Sequence, residues 1–313
     1  MTVRYAVGLP NVAEFGDPRV LADLAVAAEE YGWDGVFLWD HVLYHDQSWP
    51  VANPTVSLAA IAARTTRVRL GALMTALPRR RVQVVAREVA SLDVLSGGRM
   101  VFGAALGSMD AEYAAFGEDP SLRVRAGRLD ESLTVLSQLW SGAEVDFRGR
   151  CVTAAGVRML PTPVQRAEGA CEGADSLDAC ARDSAPSSLD ASRPGPGTVT
   201  KVPIWTAGRW PARPGFRRAA RWDGVVPTHA DYGKGATMPA SALRTALEVV
   251  ASERGGLDGF DVALEGRTGV ADAARIVAGY AEAGLTWWIE AMGWWRGGVA
   301  EARSRITAGP PVL

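Results

Sequence analysis

The chain has 313 residues, 48% hydrophobic and 22% charged, with 33 basic against 35 acidic side chains and a formal charge of −2. That is enough apolar mass to bury one large core, and a single α/β domain over 1–313 is the expectation. The balance of charge excludes the basic surface a nucleic-acid binder needs, and no apolar stretch has the length of a membrane span.

In chain order, an apolar run over 3–9 ends at Pro10, followed by the helix start Asp17-Pro18 and an amphipathic stretch over 20–31 closed by Gly32. The same strand-then-helix unit recurs as strand 35–39 with helix 55–63, strand 68–77 with helix 82–95, and strand 100–106 with helix 128–140. Four more units follow: strand 202–207 with helix 214–221, 224–227 with 240–252, 260–264 with 271–283, and 287–292 with 300–306. Strands such as Val68-Arg-Leu-Gly-Ala-Leu-Met74 are nearly continuously apolar, as when both faces of a parallel sheet are covered. Eight such units predict a (β/α)8 TIM barrel with an extra insertion before strand 5. An open doubly wound sheet is the alternative, but Gly8-Leu-Pro-Asn11 after the first strand is not a Gly-rich dinucleotide fingerprint.

Residues 166–200 break the pattern with small and polar residues and read either as a lid over the barrel mouth or as a disordered excursion. Cys151, Cys171 and Cys180 form an odd set without metal-type spacing, and no basic stretch leads into an apolar run at the start. Both point to a cytoplasmic protein. Lys201 and Lys234 are the only lysines, and neither falls in a predicted strand, which argues against Schiff-base chemistry inside a barrel.

A barrel places its chemistry on the loops that follow its strands. After strand 2 stand Asp40, His41 and His45, where an imidazole moves protons near neutral pH and a carboxylate can orient it. After strand 4, the small residues around Gly107 and Ser108 let backbone approach a flat or phosphorylated ligand, and Glu112 follows. Strand 5 leads to a turn holding Ala207, Gly208 and Arg209, whose N–H groups and guanidinium suit an anion. His229 follows strand 6, while Glu265 and Glu290 end strands 7 and 8, to bind substrate or to pair with Arg267 or Arg296. Trp287, Trp288, Trp294 and Trp295 crowd strand 8, as an aromatic wall or as core. Asp40, His41, His45 and His229 would also suit zinc in a metal-dependent hydrolase, although the first strand has no histidine.

Several stretches together resemble the bacterial luciferase-like oxidoreductases. They are Gly35-Val-Phe-Leu-Trp-Asp-His41, Leu58-Ala-Ala-Ile-Ala-Ala-Arg-Thr65, Ala86-Arg-Glu-Val-Ala-Ser-Leu-Asp-Val-Leu-Ser-Gly-Gly-Arg99, Arg128-Leu-Asp-Glu-Ser-Leu133, Leu160-Pro-Thr-Pro-Val-Gln165 and Ala219-Ala-Arg-Trp-Asp-Gly224. The resemblance implies a (β/α)8 barrel using the deazaflavin coenzyme F420 or reduced flavin mononucleotide (FMN), and the Asp40-His41 pair leans to F420. It implies His41 near C5 of the ring, with Asp40 beside it. It also implies Leu73, Met74 and Thr75 at a bulge with a non-proline cis peptide, and Ala207, Gly208 and Arg209 as phosphate contacts. Where some deazaflavin enzymes carry a glutamate as proton donor, this chain has Ser108 next to Gly107, leaving Glu112 as the substitute acid.

The expected reaction is hydride transfer between F420 and a small organic substrate, with His45, His229 and Glu290 lining the substrate pocket. An FMN-dependent monooxygenase using oxygen is the alternative, and a barrel that binds cofactor without turnover is another. The resemblance also implies a homodimer through the helices beside strands 2 and 3. The insertion over 166–200 departs from the family pattern.

Overall fold

The computed structural model describes residues 2–164, 202–231 and 237–311. The segment read as a lid or excursion, and the calls on Cys171, Cys180, Lys201 and Lys234, lie outside the described residues.

The strands are β1 (Arg4–Leu9), β2 (Gly35–Leu38), β3 (Arg69–Ala72), β4 (Thr75–Ala76), β5 (Phe102–Ala105), β6 (Val145–Arg148), β7 (Thr153–Val157), β8 (Ile204–Trp210), β9 (Gly224–His229), β10 (Asp261–Gly266) and β11 (Trp287–Ala291). The helices are α1 (Pro18–Glu30), α2 (Pro54–Arg64), α3 (Val82–Ser96), α4 (Ala111–Ala114), α5 (Leu122–Leu139), α6 (Pro214–Ala219), α7 (Ala240–Arg254), α8 (Ala273–Ala281) and α9 (Gly298–Thr307). Nine strands hydrogen-bond in the order β3-β2-β1-β11-β10-β9-β8-β5-β4, and every pairing among them is parallel. Leu70 bridges Met100, and Val101 N–H donates to the Leu70 carbonyl at 2.9 Å, so β3 meets β5 and the ring closes. This is the (β/α)8 barrel, because β3 and β4 are two pieces of one staggered wall strand.

Side-chain alternation sorts the core into two shells. Ala6, Phe37, Val101, Trp205, Val226, Ala263, Trp287 and Ile289 form a separate buried cluster inside the cylinder, on which Leu73 and Met74 pack. The neighbours of these residues, among them Val7, Leu38, Phe102, Ile204, Leu264 and Trp288, belong to the larger shell between wall and helices. Local chemistry fixes the helix starts. Asp17, Asn53 and Ser121 each accept a backbone N–H of the first turn, and Pro18 and Pro54 occupy the first helical position, where a missing N–H costs nothing.

The structure departs from the sequence reading at several edges. The expected strand over 68–77 is interrupted after Ala72, where the Leu73–Met74 peptide is cis, and ends in a 3-10 turn over Leu77–Arg79. The hairpin β6–β7 is an addition, short and largely exposed, with too little apolar alternation to stand out. Helix α5 begins at Leu122, a turn and a half before its apolar stripe. Strand β8 runs on to Trp210 because its pairing with β9 continues to Trp210 opposite His229. Ala207, Gly208 and Arg209 are therefore strand residues rather than a turn.

Candidate active site

The C-terminal ends of β2, β4 and β5 bring three segments together. Asp40 and His41 follow β2, Arg79 and Arg80 follow β4, and Glu112 sits on the one-turn helix α4 after β5. These residues, with Asn53 and Phe116, line a cavity of about 410 Å3.

Glu112 is the hub. Its Oε1 lies 3.3 Å from His41 Nδ1 and accepts the backbone N–H of Val42 at 2.7 Å and of Leu43 at 3.3 Å. Its Oε2 accepts from Arg79 at 2.8 Å, and the glutamate side chain is 1% exposed against 13% for His41. Burial pushes the carboxyl upward, but the His41 ring, the Arg79 guanidinium and the Val42 amide outweigh it and hold its pKa below the usual glutamate value. Glu112 is thus engaged by Arg79 and by the amides of Val42 and Leu43 and faces His41, surroundings that favour its charged form over the protonated acid expected from the sequence.

The rest of the network fixes the loop. Arg79 bridges to Asp40 as well, pairing with its Oδ1 at 3.1 Å and donating to its backbone carbonyl. Asp40 Oδ2 accepts the Ala76 N–H at 3.2 Å, which ties the loop after β2 to the residues just past the Leu73–Met74 bulge. Behind His41, the Asn11 side chain donates to the His41 carbonyl at 2.9 Å and accepts its N–H at 3.2 Å, holding that backbone from the loop after β1. Asn11, Arg79 and Arg80 are the members that sequence reasoning missed. Asn11 sits 30 residues from His41, Arg79 33 from Glu112 and Arg80 40 from Asp40, and no local pattern marks these pairings.

The other candidates divide. Thr75 is buried, paired opposite Ala104, and Leu73 and Met74 cap the interior cluster, so this stretch presents an apolar floor at the mouth. Gly107 has φ of +79°, and a Cβ there would stand 2.9 Å from Tyr113 Oη, while Ser108 next to it is exposed. Gly208 admits the Phe216 ring, which a Cβ would meet at 2.8 Å. Arg209 is exposed at the end of β8, and among the described residues its side-chain hydrogen bond goes to the Ala230 carbonyl, 3.1 Å away. His229 ends β9 with Nδ1 3.4 Å from Asp231, and His45 is exposed against Tyr44.

Glu290 is not brought to this cavity. Its neighbours Trp287 and Ile289 face the interior, so Glu290 alternates outward and is fully buried there. It accepts Thr268 N–H at 2.8 Å and Trp288 Nε1–H at 3.0 Å, and it pairs with Arg296. Pairing with Arg296, the second of its two sequence readings, is what the fold selects. Nor do Asp40, His41, His45 and His229 converge on a metal site. Among the described residues, no group of three His, Cys, Asp or Glu side chains stands close enough to hold an ion.

A flat tricyclic cofactor with a phosphorylated tail needs an apolar floor, closely approaching backbone, and a guanidinium not already held by a carboxylate. Leu73 with Met74 supply the floor and Arg209 the guanidinium, so these residues fit such a group, whereas the close approach at Gly107 and Gly208 is made by Tyr113 and Phe216 of the chain itself.

The family profile described as luciferase-like monooxygenase matches residues 5–304. An F420-dependent glucose-6-phosphate dehydrogenase of Gordonia bronchialis is 36% identical over 169 residues, 53% of this chain and 50% of the relative. One of Nakamurella multipartita is 39% identical over 147 residues, 44% of this chain and 41% of the relative. The chain spans about half the length of the curated relatives it matches. Among solved structures, an F420-dependent secondary alcohol dehydrogenase holding an F420-acetone adduct superposes with a TM-score of 0.71 at 17% identity, covering 98% of this chain and 99% of that one. The coenzyme F420 dependent tetrahydromethanopterin reductase of Methanopyrus kandleri gives 0.70 at 15% identity, covering 98% and 97%. A long-chain alkane monooxygenase gives 0.63 at 15%, covering 90% and 69%. At these identities the structural likeness is one of fold.

Proposed function

Because this chain belongs to the luciferase-like monooxygenase family, we propose that it is an oxidoreductase transferring a hydride between coenzyme F420 and a small organic substrate. His41 handles the accompanying proton. The observation that carries this reading is the His41 Nδ1 contact with Glu112 Oε1, which presents an oriented imidazole at the barrel mouth where the curated relatives are named for F420.

When bound, the deazaflavin ring supplies a carbon that accepts or returns a hydride. Leu73, Met74 and Thr75 would bed the ring, Gly107 and Ser108 would flank it, and Ala207, Gly208 and Arg209 would hold its phosphate. With Nδ1 turned to Glu112, His41 Nε2 is the nitrogen that takes the proton from a substrate hydroxyl, or returns it to a carbonyl oxygen in the opposite direction. Asp40, Arg79 and Asn11 keep that imidazole in place, and the tryptophans at the mouth exclude water from it. His229 and His45 would meet the substrate from the rim.

A second reading, FMN-dependent monooxygenation, is supported by neighbours of the same fold such as the alkane monooxygenase. Spectral titration of the purified chain with F420 and with FMN separates them. Saturable binding of F420 is expected. Binding of FMN alone would select the second reading, and binding of neither would overturn both.

A second copy of the chain would cover the face of α2 and α3, where Val56, Val84 and Leu95 are exposed beside a groove of about 610 Å3. Light scattering gives the mass. No helix among the described residues is long and apolar enough to cross a membrane.

A further inference from the structure

The wall beside His41 is aromatic. Trp39 stacks on Trp295 with ring centroids 5.4 Å apart and 13° between planes. Trp294 stands edge-on to Trp39, Tyr44, Trp49 and Trp295, and Tyr44 stacks on Trp49 at 5.8 Å. Trp39 and Tyr44 both meet the His41 ring edge-on, at 5.8 and 5.1 Å. The rings come from the end of β2, the loop that follows it and the turn after β11, which meet because β1 pairs with both β2 and β11. Gly293 makes the fold-back of Trp295 possible, since a Cβ there would stand 2.2 Å from its ring. Trp295 keeps 37% of its surface exposed, so the wall has an open face.

Among the described residues, the arginines next to this wall, Arg79, Arg80 and Arg296, are already matched. Arg79 is held by Asp40 and Glu112, and Arg80 by Glu88 and Asp40. Arg296 follows Trp295 directly but turns to Glu290 and to the carbonyls of Ala291 and Thr268. An incoming phosphate or carboxylate would have to break one of these pairs and then lie against the carboxylates it released, whereas aromatic faces offer an anion no donors.

We infer that the substrate of this site is an uncharged alcohol or carbonyl compound with a flat ring face that packs on the open face of Trp295, and that the site refuses phosphorylated sugars. The inference rests on the reading of His41 as the proton-handling residue, and it separates this chain from relatives named for glucose 6-phosphate.

The test is calorimetry and tryptophan-fluorescence quenching on the full chain, using methyl naphthyl ketone and glucose 6-phosphate as probes. The ketone should bind saturably, Trp295→Ala should weaken it roughly tenfold, and Trp295→Phe should recover most of the loss. Glucose 6-phosphate should give no saturable binding. Saturable binding of glucose 6-phosphate, or ketone binding unchanged in a folded Trp295→Ala protein, would overturn the inference. Should circular dichroism show Trp295→Ala unfolded, Trp295→Leu against Trp295→Phe decides by the same criterion. F420 binding is measured separately on the same samples. F420 binding together with sugar-phosphate binding removes this inference and leaves the functional reading, and ketone binding without F420 binding does the reverse.

Discussion

Glu112 Oε1 sits 3.3 Å from the Nδ1 of His41 and 2.7 Å from the amide of Val42, so one buried carboxylate sets both the ring and the backbone that carries it. The expected consequence is a positioning role. Glu112→Gln keeps the shape but lets the imidazole choose its tautomer. Turnover should fall by about tenfold or more, with the pH profile of kcat displaced and KM for substrate little changed. A profile that keeps its shape would assign Glu112 to folding alone.

The same pair fixes a stability window. A carboxylate whose folded pKa is lowered contributes stability above its ordinary value of 4.5, and loses that contribution as pH falls through the lowered value. Acid unfolding of the parent chain should therefore steepen below that ordinary value, and Glu112→Gln should flatten this limb while being less stable near neutrality. Urea melts across the range give the comparison.

Glu290 is expected to be structural. Glu290→Ala would strand Arg296 and the Thr268 and Trp288 donors in a buried setting, costing about 3–5 kcal/mol. Cofactor affinity of the surviving folded fraction should be unaltered. Weakened F420 binding without lost stability would return Glu290 to the pocket.

Gly103 of β5 lies against the Ala72–Met74 stretch. A Cβ there would stand 2.4 Å from the Ala72 carbonyl and 2.4 Å from a Leu73 methyl, backbone and side chain of the stretch proposed to bed the cofactor. Gly103→Ala should cost about 1–3 kcal/mol and weaken F420 binding, whereas Gly127→Ala, with open space around it, should do neither. Thermal melts and a cofactor titration of both variants check this.

The barrel was legible because its cause is local: apolar runs followed by capped amphipathic stretches recur eight times, the count of a (β/α)8 barrel, and no Gly-rich fingerprint of an open doubly wound sheet follows the first. What stayed hidden was non-local. Arg79 and Glu112 are 33 residues apart, and nothing near either announces the other. Glu290 was within reach, since alternation along Trp287-Trp-Ile-Glu290 puts it on the opposite face from Trp287, yet which face is interior depends on the strands on either side. The hairpin β6–β7 is an exposed ornament with little pattern to read.

The claim at the centre is that His41 moves the proton that accompanies hydride exchange with bound F420. Single-turnover bleaching of F420 by a substrate alcohol, in the parent chain and in His41→Asn, addresses it directly. The account predicts F420 affinity nearly unchanged and a bleaching rate lower by about 10²–10⁴-fold. Equal rates in the two proteins, with cofactor bound in both, would contradict it.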